Sequence, residues 1–352
     1  MGLSLAVGIV LLAFSWPTVT ASPRDLPIGI VGSGPQATAV AAELSESADD
    51  AFDPVTYDDR HSAVEAIRER KVYGAVVLGS SPSNPPEVLT ASAAGPPVAQ
   101  MLAGLAHHLE QKANEQIAEA LASGRPTGAG DTSAPADSTA PASPAQPAIE
   151  VTVTDVVPFS DDDRKGAGLA TSVFPLVIGG LIGGAITALT VRGSGPKRAA
   201  AIIVYAAFAG CVLTGILQGW YGVLQGDFML NALAIGLGLA AISGTITGLA
   251  GMVGPAGIGV GAVLMILVAN PLSGTGLPPE FIVWPWGQVG QWMPVGAAGT
   301  LVRELSYFPD AAMLFPWLVL ASWAFVGLLL TALGRRGDLD EAIRSGSRRM
   351  RP

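Results

Sequence analysis

Apolar and polar positions along this chain separate into a few long unbroken runs and one stretch of short alternations. Residues 3–20, 169–191, 199–219, 229–249 and 313–333 are apolar, with no Asp, Glu, Lys, Arg or His inside them. A run of about 20 such residues matches the hydrocarbon thickness of a bilayer when helical. Residues 258–268 add a sixth run if the glycine-rich approach from Gly251 is included. The pattern therefore predicts an α-helical bundle of six transmembrane helices. The first run ends in the small residues Thr20-Ala21-Ser22 but has no basic residue before it. That favours an uncleaved anchor over 1–21, with a signal peptide as the alternative.

The polar stretch between the first two runs reads differently. Leu26 to Val31 is strand-like, Gln36 to Leu44 helical, and Val55 to Tyr57 strand-like. Ala63 to Arg70 is helical, Val72 to Leu78 and Val88 to Ala91 are strands, and Pro97 to Ala122 is one long helix. Short strands alternating with helical patterns predict a small α/β domain over 22–123. Residues 124–147 hold five prolines and no Val, Ile, Leu, Met or aromatic residue, the composition of a tether. A return strand and juxtamembrane segment occupy 148–166, the five-helix part 167–334, and a basic tail 335–352.

Within the membrane half, residues 270–310 fit no uninterrupted span. They carry Trp284, Trp286 and Trp292, broken by Pro271, Pro278, Pro279, Pro285 and Pro294. A re-entrant or interfacial helical pair is expected, because broken backbone at membrane depth needs protein or water to cover it. The tryptophans suit the headgroup region, and Trp286, Trp292, Pro294, Arg303, Glu304 and Tyr307 are the candidate outer gate. The adjacent Arg303-Glu304 reads in the first instance as an exposed interfacial ion pair.

Charge sets the orientation. Nine of the ten basic residues after Gly166 fall in the loop Arg192, Lys197, Arg198 or in the tail that starts with Arg335 and Arg336. Basic loops stay cytoplasmic. Six spans then place both termini inside the plasma membrane and residues 22–165 outside it. Only 13% of the chain is charged and the net charge is −9. The acidic outer half has no basic cluster, which argues against a nucleic-acid partner.

Candidate chemistry is sparse. One cysteine, Cys211, excludes an internal disulfide. Gly32-Ser33-Gly34-Pro35-Gln36-Ala37 follows a strand and opens a helix as a dinucleotide fingerprint would. The unit is too small for two nucleotide-binding halves, and Pro35 removes an amide, so a tight strand-to-helix turn is the better reading. Asp161-Asp162-Asp163 reads as a solvated cap before the second span rather than a cation site. His107-His108 reads as part of a surface helix. No catalytic constellation, cofactor or metal site is expected. Gly179, Gly180, Gly183 and Gly184 form overlapping GxxxG pairs that let helices approach, within one protomer or between two.

Several segments together resemble a known family. They are LPIGIV at 26–31, VEAIRERKVYGAVV within 63–77, TDVVPFSDDDRKG at 154–166 and LPPEFIVWPWGQVGQWMPVGAAGTLVRELSYFPDAA at 277–312. The layout of one span, an outer domain and five spans resembles ABC-2-type membrane proteins, in particular their YhgE/Pip (phage-infection-protein-like) branch. The resemblance implies a permease-like subunit, homodimeric or heterodimeric, that moves a hydrophobic or amphipathic substrate with a separate ATP-binding subunit. Arg192, Lys197, Arg198, Arg335 and Arg336 are then the candidate contacts with that ATPase. The inner loops are short, so an envelope receptor, scaffold or secretion-associated protein working through its outer domain stays open as the alternative.

Overall fold

The computed structural model describes residues 2–32, 34–46, 51–79, 86–122 and 150–334. The tether at 124–147 and the tail containing Arg335 and Arg336 lie outside the described residues.

Helix α1 (Gly2–Val19) leads into a five-stranded sheet: β1 (Leu26–Val31), β2 (Phe52–Tyr57), β3 (Gly74–Val77), β4 (Glu87–Thr90) and β5 (Thr152–Asp155). The strand order is β2-β1-β3-β4-β5. Strand β1 lies parallel to both β2 and β3, β4 is antiparallel to β3, and β5 is parallel to β4. Helices α2 (Pro35–Glu46), α3 (Arg60–Arg68) and α4 (Pro96–Ala122) complete the unit. Helix α3 starts where the Asp59 side chain accepts the amide of Ser62 at 2.8 Å, an N-cap, and buries Ala63, Ala66 and Ile67 against the sheet. The small α/β unit expected over 22–123 is thus present, with the return strand of 148–166 as its fifth strand. Helix α2 begins at Pro35, within the glycine motif.

Strand β5 is tied in by a polar clamp. Glu87 accepts from Arg60 Nε at 2.7 Å and Nη2 at 2.8 Å, and from Thr154 Oγ1 at 2.6 Å. The Arg60 hydrogen bond holds the Glu87 carboxyl below its ordinary value of 4.5. A depressed carboxyl contributes stability that is present above 4.5 and lost as pH falls through the depressed value. Glu87→Gln is therefore expected to flatten the acid limb of a pH-stability curve and to cost about 1 kcal/mol at neutral pH, measured by thermal unfolding of the detergent-solubilised chain.

The rest of the chain is a helical bundle: α5 (Ala167–Thr190), α6 (Gly195–Thr214, continued by a π-helical segment Gly215–Trp220), α7 (Phe228–Val253), α8 (Ala256–Val263, continued by a π-helical segment Leu264–Ala269), α9 (Trp286–Gln291), α10 (Pro294–Tyr307) and α11 (Leu314–Leu333). Four of these are long and apolar enough to cross a membrane: α5, α6 with its continuation, α7 and α11. Helix α1, 18 residues long, and the apolar helix Ala256–Ala269 are shorter than these four. The chain is accordingly a membrane helical protein.

Helix α7 is the centre of the bundle, buried along most of its length by α5, α6 and α11. Its neighbours approach at glycines. A Cβ at Gly180 would lie 2.6 Å from Ile242, and one at Gly184 2.9 Å from the Ser243 carbonyl oxygen. Hydroxyls then bond the carbonyls this closeness exposes: Ser243 donates to Gly180 O and Thr247 to Gly184 O, both at 2.9 Å, and Tyr205 of α6 donates to Gly179 O at 2.7 Å. Gly183 packs against the Tyr205 ring. The GxxxG pairs of α5 therefore serve packing within the chain. In a bilayer, where lipid tails are as apolar as leucine, such close packing and hydroxyl bonding hold helices together.

Candidate functional site

The α/β unit and the membrane bundle meet over the segment 270–310. The chain leaving α1 pairs with this segment through its backbone, Ser22 N donating to Phe281 O and Arg24 N to Glu280 O, each at 3.1 Å. Two helices follow, α9 and α10, as the broken sequence led one to expect. The turn between them reaches far down α11: Trp323 donates its indole N–H to Trp292 O at 2.8 Å, and the Trp292 ring stands edge-on to Phe315 with centroids 4.9 Å apart. Trp292 thus meets α11 between its first turn, at Phe315, and its third, at Trp323. Helix α10 then rises back, with most of its residues buried among its neighbours α5, α7 and α11. Its N-terminal proline, Pro294, sits in the first helical turn, where the missing amide is harmless.

The C-terminal turn of α10 carries the charges. Arg303 and Glu304 are only 6% and 8% exposed, which corrects the expectation of an exposed ion pair. Nor do they bond one another, since sequence neighbours on a helix point about 100° apart. Glu304 instead accepts from Arg70 of the α/β unit, Nη1 to Oε1 at 2.9 Å. Arg303 Nη2 donates to the carbonyl of Thr275 at 2.7 Å. Close by, the Tyr73 hydroxyl donates to Glu280 Oε2 at 2.7 Å, and the Arg70 guanidinium stands 5.9 Å over the Phe308 ring. Two cations and two carboxylates are thus held between the domains, Arg70 from the loop after α3 and the other three from the 270–310 segment.

Arg70 is held in an unusual way. It follows α3 with φ at +59°, in the left-handed region, as the residue that ends the helix. Its amide bonds Ile67 O at 3.0 Å and the next, Lys71 N, reaches Ala66 O at 2.9 Å. Glycine is the usual choice here, and the arginine that takes this strained conformation is the one that reaches Glu304.

Burial shapes the protonation of the cluster. It pushes the Glu304 carboxyl above its ordinary value of 4.5, against the pull of Arg70 and Arg303. Because the folded chain then holds that proton more tightly than the unfolded one, the Glu304 contribution to stability declines as pH rises from 4.5 through the raised value. Burial, with the neighbouring Arg70 charge, brings Arg303 down to about 10, so it is charged at neutral pH. Burial and then the Glu280 charge push the Tyr73 phenol up, fixing it as a donor. Glu304 Oε2, Arg303 Nε and Ser306 Oγ have no protein partner.

Two cavities flank this junction. One, about 560 Å³, opens between α1 and α5 and is floored by residues 270–277 with Ile282. The other, about 530 Å³, lies between Arg24, Asp25 and Asp53 on one side and Pro279–Gln288 on the other. Arg303 also anchors the floor of the first, because Thr275 belongs to it, and Gln291 does the same by donating to Ser273 O at 2.9 Å.

No family model, curated protein or solved structure matches the chain. Its own geometry therefore carries the functional argument.

The structure distributes the sequence candidates unevenly. Trp286, Trp292 and Pro294 lie along α9, just after it and at the start of α10, whereas Arg303, Glu304 and Tyr307 lie in the C-terminal turn of α10, so the structure does not bring the six into one cluster. Tyr307 fastens the upper end, donating to Val223 O at 2.6 Å and meeting Phe159 edge-on at 5.6 Å. At the opposite end of the bundle Arg192 and Lys197 are exposed, but Arg198 is 1% exposed and donates to Gly334 O at 3.1 Å, at the end of α11. A cation at a helix C-terminus is favourably placed. Arg198 is thus a structural cap and not a contact surface for another protein. Asp163 likewise caps α5, accepting Gly168 N and Leu169 N at 3.0 Å. Sequence reasoning missed Arg70, Tyr73 and Glu280, whose partners lie more than two hundred positions away or belong to another domain.

Proposed function

We propose that the chain is a permease-like membrane subunit of the ABC-2 type that moves a hydrophobic or amphipathic substrate across the plasma membrane. In this reading α1 and the α8 run are the first and fifth of six spans, the termini are cytoplasmic and residues 22–165 lie outside. A separate ATP-binding subunit supplies energy, and two membrane subunits assemble as a homodimer or heterodimer. The observation that carries the reading is the helical pair α9–α10, whose second helix is buried in the bundle and clamped to the α/β unit by Arg70–Glu304. A broken helical pair at membrane depth, wired to a domain beyond the membrane, is the kind of element that converts movement on one side into opening on the other. The glycine-lined helices α5, α7, α8 and α11, which carry no charged residue, and the lateral cavity beside α1 fit an amphipathic cargo better than an ion.

A second reading, an envelope receptor or scaffold acting through the α/β unit, is favoured by one specific observation. With Arg198 buried, Arg192 and Lys197 are the only exposed cations at the inner end of the bundle among the described residues. Purification of the tagged chain from its native membrane in mild detergent, with mass spectrometry, decides between them. The permease reading expects an ATP-binding subunit at near-stoichiometric yield, and a severalfold lower yield when Arg192, Lys197, Arg335 and Arg336 are changed to glutamate. Recovery of outer-envelope or secreted proteins without any ATP-binding subunit overturns it in favour of the scaffold.

A further inference from the structure

We propose that the cleft between α1 and α5 is a binding site for one phospholipid whose headgroup carries an amine, of the ethanolamine type. The proposal concerns binding alone and holds whether or not the chain transports.

The cleft has the size of a ligand site, about 560 Å³. Phe14 and Phe174 line it and are 37% and 50% exposed, so it opens sideways toward the bilayer. It exists because α1 packs on the bundle through the π-helical segment Leu264–Ala269 and stands away from α5 above that point. A gap of this kind between lipid-facing helices is filled by an acyl chain, since no water enters hydrocarbon to fill it.

Its polar end asks for a hydrogen-bond donor. Pro17 of α1 and Pro175 of α5 both line the cleft. Proline has no amide hydrogen for the carbonyl four residues earlier, so Thr171 O on the cleft wall loses its helical donor. The Thr171 hydroxyl does not replace it, as it donates to Ala167 O at 2.7 Å. The unbonded carbonyl makes this the polar end of the cleft, the end toward which a lipid's head rather than its chains is directed.

Charge selects among headgroups. The second cavity begins on the other side of Ile282, which lines both, and contains Arg24, Asp25, Asp53 and Glu280 with Trp284 at its rim. A zwitterionic head places its phosphate by Arg24 and its ammonium among the carboxylates. A glycerol phosphate head would bring a lone negative charge to the same carboxylates. Trp284, 69% exposed, has the amphipathic ring that favours the headgroup layer. The floor is fixed in advance by Arg303 and Gln291, so binding orders few protein groups.

The test is native mass spectrometry of the full chain released from nanodiscs of equimolar phosphatidylethanolamine and phosphatidylglycerol. One phosphatidylethanolamine is expected to remain bound, in about fivefold excess over phosphatidylglycerol. Thr171→Trp and, independently, Gly276→Trp fill the cleft from two sides and should abolish retention with an unchanged melting temperature. Both wild-type positions have room, Thr171 being exposed and Gly276 having no neighbour within 4 Å of an added Cβ. Asp25→Asn with Asp53→Asn should remove the headgroup preference and leave retention intact. Preference for phosphatidylglycerol, or equal retention of both lipids, overturns the headgroup assignment. Retention unchanged in both tryptophan variants overturns the site, leaving annular lipid only.

Discussion

Glu304→Ala should destabilise the folded chain by about 3 kcal/mol and free the α/β unit from the bundle. Removing one member of a buried ion pair costs about this much, because the remaining charge stays buried without compensation. Here the stranded charge is Arg70, whose side chain is 12% exposed, beside a second buried cation, Arg303. Thermal unfolding in detergent measures the loss, and limited proteolysis of the 22–165 region reads the release. Arg70→Gly separates the side chain from the backbone. Glycine relieves the left-handed conformation by about 1 kcal/mol, so if the side chain did nothing the variant would be more stable than the wild type. A net loss of about 2 kcal/mol is expected. A joint Arg70→Met and Glu304→Met change, which removes both charges, should recover part of the stability while still uncoupling the domains.

The second large effect is expected at the crossing of α7 and α11. A Cβ at Gly327 would lie 2.6 Å from both the carbonyl carbon of Gly244 and the amide nitrogen of Thr245. These are backbone atoms, which no rotamer change can move. The same crossing is bonded by Thr331, whose hydroxyl lies 3.1 Å from Gly244 O and 2.9 Å from Gly327 O. Gly327→Leu must push the two helices apart along this seam, at a cost of about 3 kcal/mol. Gly259→Leu on α8 is the control, because an added Cβ there meets nothing within 4 Å, and its effect should stay within about 0.5 kcal/mol. Melting temperature and the fraction eluting as a single species in size-exclusion chromatography check both variants. Equal losses in the two would show that glycine content alone, and not the close crossing, governs stability.

The elements themselves were largely legible from the chain. The runs at 169–191, 199–219, 229–249 and 313–333 appear as α5, α6, α7 and α11 because length and lack of charge leave an apolar helix no other stable placement. Alternation located each of β1 to β5 and α2 to α4 to within a few residues. The prolines of 270–310 correctly ruled out a single span. Less was legible at 258–268, because the glycine-rich approach from Gly251 turns out to be the end of α7 and the next helix starts only at Ala256.

What the sequence determined by itself was local: which segments are helices or strands, which are apolar, and that the glycines of α5 mark close approach. What only the tertiary structure decided was every pairing across distance. Arg303-Glu304 looks like a surface dipeptide until α10 is found inside the bundle. Arg198 looks like part of a basic loop until α11 is seen to end against it. The opposite partner of Glu304 sits at position 70, and no periodicity in either segment encodes that meeting. Periodicity is a property of a helix or strand and its own solvent, whereas a buried charge is specified by the one counter-charge that the folded chain brings to it.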